Sequence, residues 1–215
     1  MILFNTLMGV CAGLVMLLAA DALKRIHTTE GGEGLVGTGV ALLVVGAPLT
    51  FLSAVMAVTW PLTVNPPINV AFAEPALLLG VLALVGGAVL VKGHVRPDTS
   101  FTAPTAWVIG AVGLILLAVS SAIFSYDLVG DAPDQEPITG RFKGWENTTF
   151  GLVYLVGAVG CLVVPLYRSS RVWSFHVVRY AWIVTGLFFL VFSVLNYRTH
   201  IGMLVNIQRK TDYEW

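Results

Sequence analysis

Leu35 to Trp60 reads LVGTGVALLVVGAPLTFLSAVMAVTW, without a single Asp, Glu, Lys, Arg or His. A helix needs roughly 17 to 25 mostly apolar residues to cross a hydrocarbon core of about 30 Å, so this stretch predicts a membrane span. Five further segments meet the same criterion: Ile2–Leu23, Pro75–Val91, Thr105–Phe124, Phe150–Tyr167 and Val177–Tyr197. The whole chain agrees with them. Of its 215 residues 57% are hydrophobic and 11% charged, with a mean hydropathy of +0.84, too few polar side chains to coat a soluble globule. No repeat of 20 to 50 residues and no inverted pair of broken spans is visible. The expectation is an all-α integral membrane protein, a single bundle of six transmembrane helices over residues 1–215.

The first span begins at residue 2 without a basic leader and ends in AADALKR, so it reads as retained. Lys and Arg concentrate in cytoplasmic loops. The first, third and fifth loops hold seven basic residues (Lys24, Arg25, Lys92, Arg96, Arg168, Arg171 and Arg179) against four acids, and the other side holds five against eight. That asymmetry places both termini of a multi-pass membrane protein outside. Cys11 and Cys161 fall mid-span, where a thiol is a small packing group.

Without a hydrophobic drive between helices in lipid, contacts come from small residues and shared hydrogen bonds. Gly9 and Gly13, Gly110 and Gly113, and Gly157 and Gly160 let backbones approach, either within the bundle or against another membrane subunit. Pro48 should kink the second span, with Thr50 and Ser53 satisfying part of the freed backbone. Trp60, Trp107, Trp145, Trp173, Tyr126, Tyr167 and Tyr197 stand near span ends as interfacial anchors.

The segment TWPLTVNPPINVAFAEP, Thr59–Pro75, reads as an apolar loop in the headgroup region or dipping into the bundle. Glu74 then precedes Pro75 at a helix start and serves either as a cap on the positive end of the third helix or as a proton or cation site at the membrane rim. Extended to Gly80, this run resembles the signature of a prokaryotic six-span membrane protein family of unknown function, domain of unknown function nine hundred and eighty-one. Trp60, Pro61, Asn69, Phe72 and Glu74 carry the resemblance, with Ala73 where the family reads glycine. It implies six spans and a prokaryotic membrane and supplies no activity.

His27, His94 and His176 lie in three separate loops with His200 on the opposite side, which suits solvated histidines better than a metal or haem site. The loop SYDLVGDAPDQEPITGRFKGWEN gathers Asp127, Asp131, Asp134 and Glu136 without calcium-loop spacing and reads as solvated. Asn147-Thr148-Thr149 reads as a cap on the fifth helix. GGEGLVGTG at 31–39 lacks the ending of a phosphate loop. No catalytic, cofactor or metal residues are expected, and no nucleic-acid partner. The sequence favours a non-catalytic accessory or scaffold subunit among other integral membrane subunits, a respiratory cytochrome supercomplex being one such host. The alternative is a transporter or channel for a neutral or lipid-like solute.

Overall fold

The computed structural model describes residues 2–28, 34–63, 65–93, 103–167 and 172–210. Six helices make up the fold: α1 (Ile2–His27), α2 (Leu35–Thr59), α3 (Pro66–Val91), α4 (Ala103–Tyr126), α5 (Trp145–Val163) and α6 (Val172–Arg209). All six are long and apolar enough to cross a membrane, and no strand occurs among the described residues. The tightest pairs are α2 with α3, α1 with α6 and α4 with α5. Contacts run round the bundle in the order α3, α2, α1, α6, α5, α4, and the circuit closes only sparingly between α4 and α3.

Small residues set these pairings. A Cβ on Gly13 would stand 2.6 Å from the Leu190 backbone nitrogen, and one on Gly9 would overlap the Ser193 hydroxyl, so both glycines of α1 are occupied by α6. Gly110 and Gly113 receive Pro165 and Leu162, and Gly160 receives Ala181 and Trp182. The intramolecular reading of these glycines therefore holds.

The third helix begins at Pro66, not at Pro75. Pro66 and Pro67 occupy the first helical positions, where no backbone donor has an intrahelical partner anyway. Pro75 lies inside the helix, which removes the bond that the Ala71 carbonyl would otherwise accept. The Tyr154 hydroxyl of α5 donates to that carbonyl at 3.0 Å instead, so the helix continues. Glu74 is thus an exposed mid-helix residue, and the cap reading is wrong. The loop shrinks to residues 60–65 and finds its partners from Asn69, a fully buried side chain. Asn69 Oδ1 accepts from Leu62 N at 3.0 Å, while Nδ2 donates to the Leu62 and Pro66 carbonyls. Trp60 sits at the end of α2 with φ 47° and its indole N–H on the Ala57 carbonyl; Pro61 follows, partly buried.

α2 runs unbroken through Pro48. Thr50 and Ser53 donate to the Gly46, Leu49 and Thr50 carbonyls, not to the Val44 carbonyl that Pro48 frees. α6 also outruns its expected span. Its 38 residues extend ~57 Å at 1.5 Å per residue, well past a hydrocarbon core. The part beyond Tyr197 supports the α4–α5 loop: Asn206 Nδ2 donates to the Gln135 carbonyl at 3.0 Å, and Pro137 lies over Gly202.

Candidate functional site: a cavity between five helices

A cavity of about 390 Å³ lies inside the bundle, walled mainly by α1, α3, α4, α5 and α6, within the range of roughly 300–1,000 Å³ typical of small-ligand sites. Its lining changes in character along the membrane normal. On the side where α1 begins, the wall is polar: Asn5, Thr6, Ser193, Asn196 and His200. Ser193, Asn196 and His200 recur at helical spacing and so share one face of α6. Thr6 Oγ1 and His200 Nδ1 stand 3.4 Å apart across α1 and α6.

Beneath this polar mouth comes an aromatic collar of Phe72, Phe150, Tyr154, Phe189 and Phe192. Phe150 meets Phe192 edge-on at 5.0 Å between ring centres, and Phe72 lies tilted against it at 5.5 Å. Deeper still, Gly157 and Gly160 make room for Thr185 and Trp182. The Thr185 hydroxyl oxygen and the Trp182 indole nitrogen are buried there without a hydrogen-bond partner, an arrangement that costs free energy in an apolar surrounding. The far end is aliphatic, with Leu23, Ile26, Leu79 and Leu82.

At that end the cavity reaches the bundle's surface. Val85 and Val89 of α3 are 58% and 45% exposed yet line it, as does exposed Thr105 of α4. These residues sit at the α3–α4 seam. A Cβ added to Gly86 in the same wall would meet no atom within 4 Å. Loose closure of one seam therefore gives the cavity a side opening toward the membrane.

A loop carboxylate stands over the polar mouth. Glu136 is 2% exposed, which corrects the expectation of a wholly solvated acidic loop; Asp127, Asp131 and Asp134 are exposed as expected. Burial alone would raise the Glu136 pKa. The Thr199 hydroxyl of α6, the Thr139 hydroxyl and the Gly140 and Thr139 backbone N–H groups outweigh that and hold it below the ordinary value of 4.5, the last three donating to its Oε2. The Ile138 N–H adds a further bond at 2.8 Å. Its negative charge acts on the His200 ring. Asn147 does not cap its own helix: it donates to the Ile123 carbonyl at the end of α4 and accepts from Val129 N.

Of the residues singled out in the sequence, Phe72, Gly9, Gly157, Cys161 and His200 reach the cavity. Glu74 does not line it and stands exposed with Leu78 and Val81 on the outward side of α3. Trp60, Pro61 and Asn69 build the α2–α3 connection, Pro48 is internal to α2, and Gly13 seats α6. His27 is packed rather than solvated, with Nδ1 3.0 Å from the Tyr167 hydroxyl and its ring stacked on Phe175. Tyr167 is accordingly buried, while Trp60, Trp107, Tyr126 and Trp173 are exposed like interfacial anchors. His94 and residues 31–33 lie outside the described residues. Among those described, no three His, Cys, Asp or Glu side chains cluster as metal ligands. Sequence reasoning missed Ser193, Asn196, Tyr154 and Thr185, and it read His200 as solvated, whereas His200 is half-buried in the cavity wall; the three-to-four spacing of polar residues at the end of an apolar helix was the available signal.

The family described as "Protein of unknown function (DUF981)" matches residues 1–203. The chain belongs to that family. No curated protein and no solved structure matches it.

Proposed function

From the six helices able to cross a membrane and from the cavity, we propose that the protein binds and carries a lipid-like solute taken sideways from the bilayer. The carrying observation is the cavity itself: about 390 Å³, apolar along most of its length, polar at one end and open at the α3–α4 seam. A water-soluble solute would be poorly served by aliphatic and aromatic walls, whereas a hydrocarbon chain loses nothing by leaving lipid for them. The scaffold alternative draws on small-residue faces, and Gly9 and Gly13 are already filled by α6.

The test uses Gly86, where a larger side chain enters open space. Wild-type protein purified in mild detergent should retain bilayer-derived lipid detectable by native mass spectrometry. Gly86→Phe should lose most of it at unchanged melting temperature and yield. Equal retention by the two proteins, or none by either, would refute the reading.

A further inference from the structure

We infer that the polar mouth formed by Asn5, Thr6, Ser193, Asn196 and His200 is a headgroup subsite for a long-chain amphiphile whose head is uncharged and hydrogen-bonding, an alcohol or carbonyl, with the tail threading the aromatic collar toward the α3–α4 seam. This inference rests on the preceding reading of the cavity and adds the ligand's polarity, orientation and charge.

The orientation follows from the asymmetry of the wall. The five polar residues of the mouth stand at one end, and the hydrogen-bonding head of a ligand would be left without partners among the aliphatic walls at the other, so the polar part of a bound molecule belongs at the mouth. The tail then passes Phe72, Phe150, Tyr154, Phe189 and Phe192 and meets the aliphatic half. From Thr6 to Ile26 the α1 wall covers ~30 Å at 1.5 Å per residue, which is the reach of a long chain, and a chain longer than the cavity has an exit at Gly86 and Val89.

The charge follows from what is present and what is not. Among the described residues lining the cavity there is neither Lys nor Arg, nor any Asp or Glu. A charged head would enter a weakly polarisable space without a counter-ion, the costly case for any buried ion. Glu136 makes the mouth unfavourable to anions in particular: its buried carboxylate acts on His200 from the loop side. Lys143 of the same loop is paired with Asp134 at 2.8 Å. Asn, Ser, Thr and neutral His side chains offer both donors and acceptors, which suits a hydroxyl or a carbonyl equally.

The experiment displaces the co-purified lipid from the full chain in detergent at pH 8, where an imidazole of ordinary pKa is neutral. Four probes of equal chain length are compared: a primary alcohol, the fatty acid, the alkyl trimethylammonium and the plain alkane. The alcohol should bind at least tenfold tighter than any of the other three. Asn196→Leu and His200→Leu should each weaken alcohol binding severalfold while leaving alkane binding unchanged, and Glu136→Gln should narrow the gap between alcohol and fatty acid. Equal binding of all four probes would overturn the headgroup subsite while leaving the cavity reading standing. Tightest binding of the fatty acid or of the trimethylammonium would overturn its charge preference. Binding of no probe would overturn both. Should Glu136→Gln fail to accumulate, the four-probe ranking on wild type and on Asn196→Leu decides alone.

Discussion

The Tyr154 hydroxyl on α5 donates to the Ala71 carbonyl on α3 at 3.0 Å, and that carbonyl is the one Pro75 leaves without its usual helical donor. The two residues are 5% and 4% exposed. One bond therefore permits an internal proline and ties α3 to α5 across the cavity.

Tyr154→Phe should leave the Ala71 carbonyl unsatisfied and cost about 1–3 kcal/mol. In a Pro75→Ala background the restored N–H supplies the missing donor, so the same change should cost much less. Reversible unfolding in mixed micelles of the four proteins measures the coupling. Additive effects of the two changes would refute the link.

Glu74 stands on the outward side of α3 with Leu78 and Val81, eight residues beyond the helix start. A macrodipole contribution falls off within the first turn, so Glu74→Gln should change stability by no more than about 0.5 kcal/mol and leave lipid retention as in wild type. Loss of retention at normal abundance would make Glu74 part of the carrier after all.

Hydropathy made the spans legible because each is a continuous apolar run, and all six helices overlap the segments read from sequence. The start of α3 was not legible. Pro75 is local punctuation that argues for a helix beginning, whereas the hydroxyl that lets it sit inside one comes from Tyr154, 83 positions from the Ala71 carbonyl it satisfies. Burial of Glu136 was hidden for a related reason, since an acidic loop reads as solvated until the N–H groups of Ile138, Thr139 and Gly140 are seen folded onto one carboxylate. The cavity had no composition of its own: Leu79, Phe150 and Val89 are the residues that would equally fill a core.

Glu136 also gives a pH signature. Its folded pKa lies below the ordinary 4.5, so its contribution is present above that value and is lost as pH falls through the folded pKa. Glu136→Gln should lower stability at pH 7 by roughly 1.5–3 kcal/mol, the range for hydrogen bonds to a charged group. The deficit should shrink as pH drops below 4.5. Melting temperatures of both proteins from pH 7 to pH 3 measure it, and a constant difference would contradict the assignment.

The charge asymmetry predicts orientation. Cys11 and Cys161 are buried, which leaves an introduced thiol as the accessible one. Phe142→Cys, at a 62% exposed loop position, should react with an impermeant reagent in intact cells. Lys92→Cys, at the opposite end of the bundle, should react only after permeabilisation. The reverse pattern would invert the topology.

Gly13 and Gly86 offer the same substitution in opposite surroundings. A Cβ at Gly13 would lie 2.6–2.9 Å from backbone atoms of Leu190 and Gly186, neither of which can turn aside, whereas at Gly86 it meets nothing within 4 Å. Gly13→Ala must push α1 from α6 and should cost about 1–3 kcal/mol, as overpacking does. Gly86→Ala should be neutral or gain about 0.5–1 kcal/mol, since glycine is the weaker helix former. Because α1 and α6 together form the polar mouth, Gly13→Ala should also weaken retention of lipid, while Gly86→Ala, too small to fill the seam, should keep it. Unfolding midpoints and native mass spectra of the two variants side by side test both halves. A harmless Gly13→Ala would mean that the α1–α6 contact is looser than 2.6 Å allows, and the mouth it forms would lose its basis.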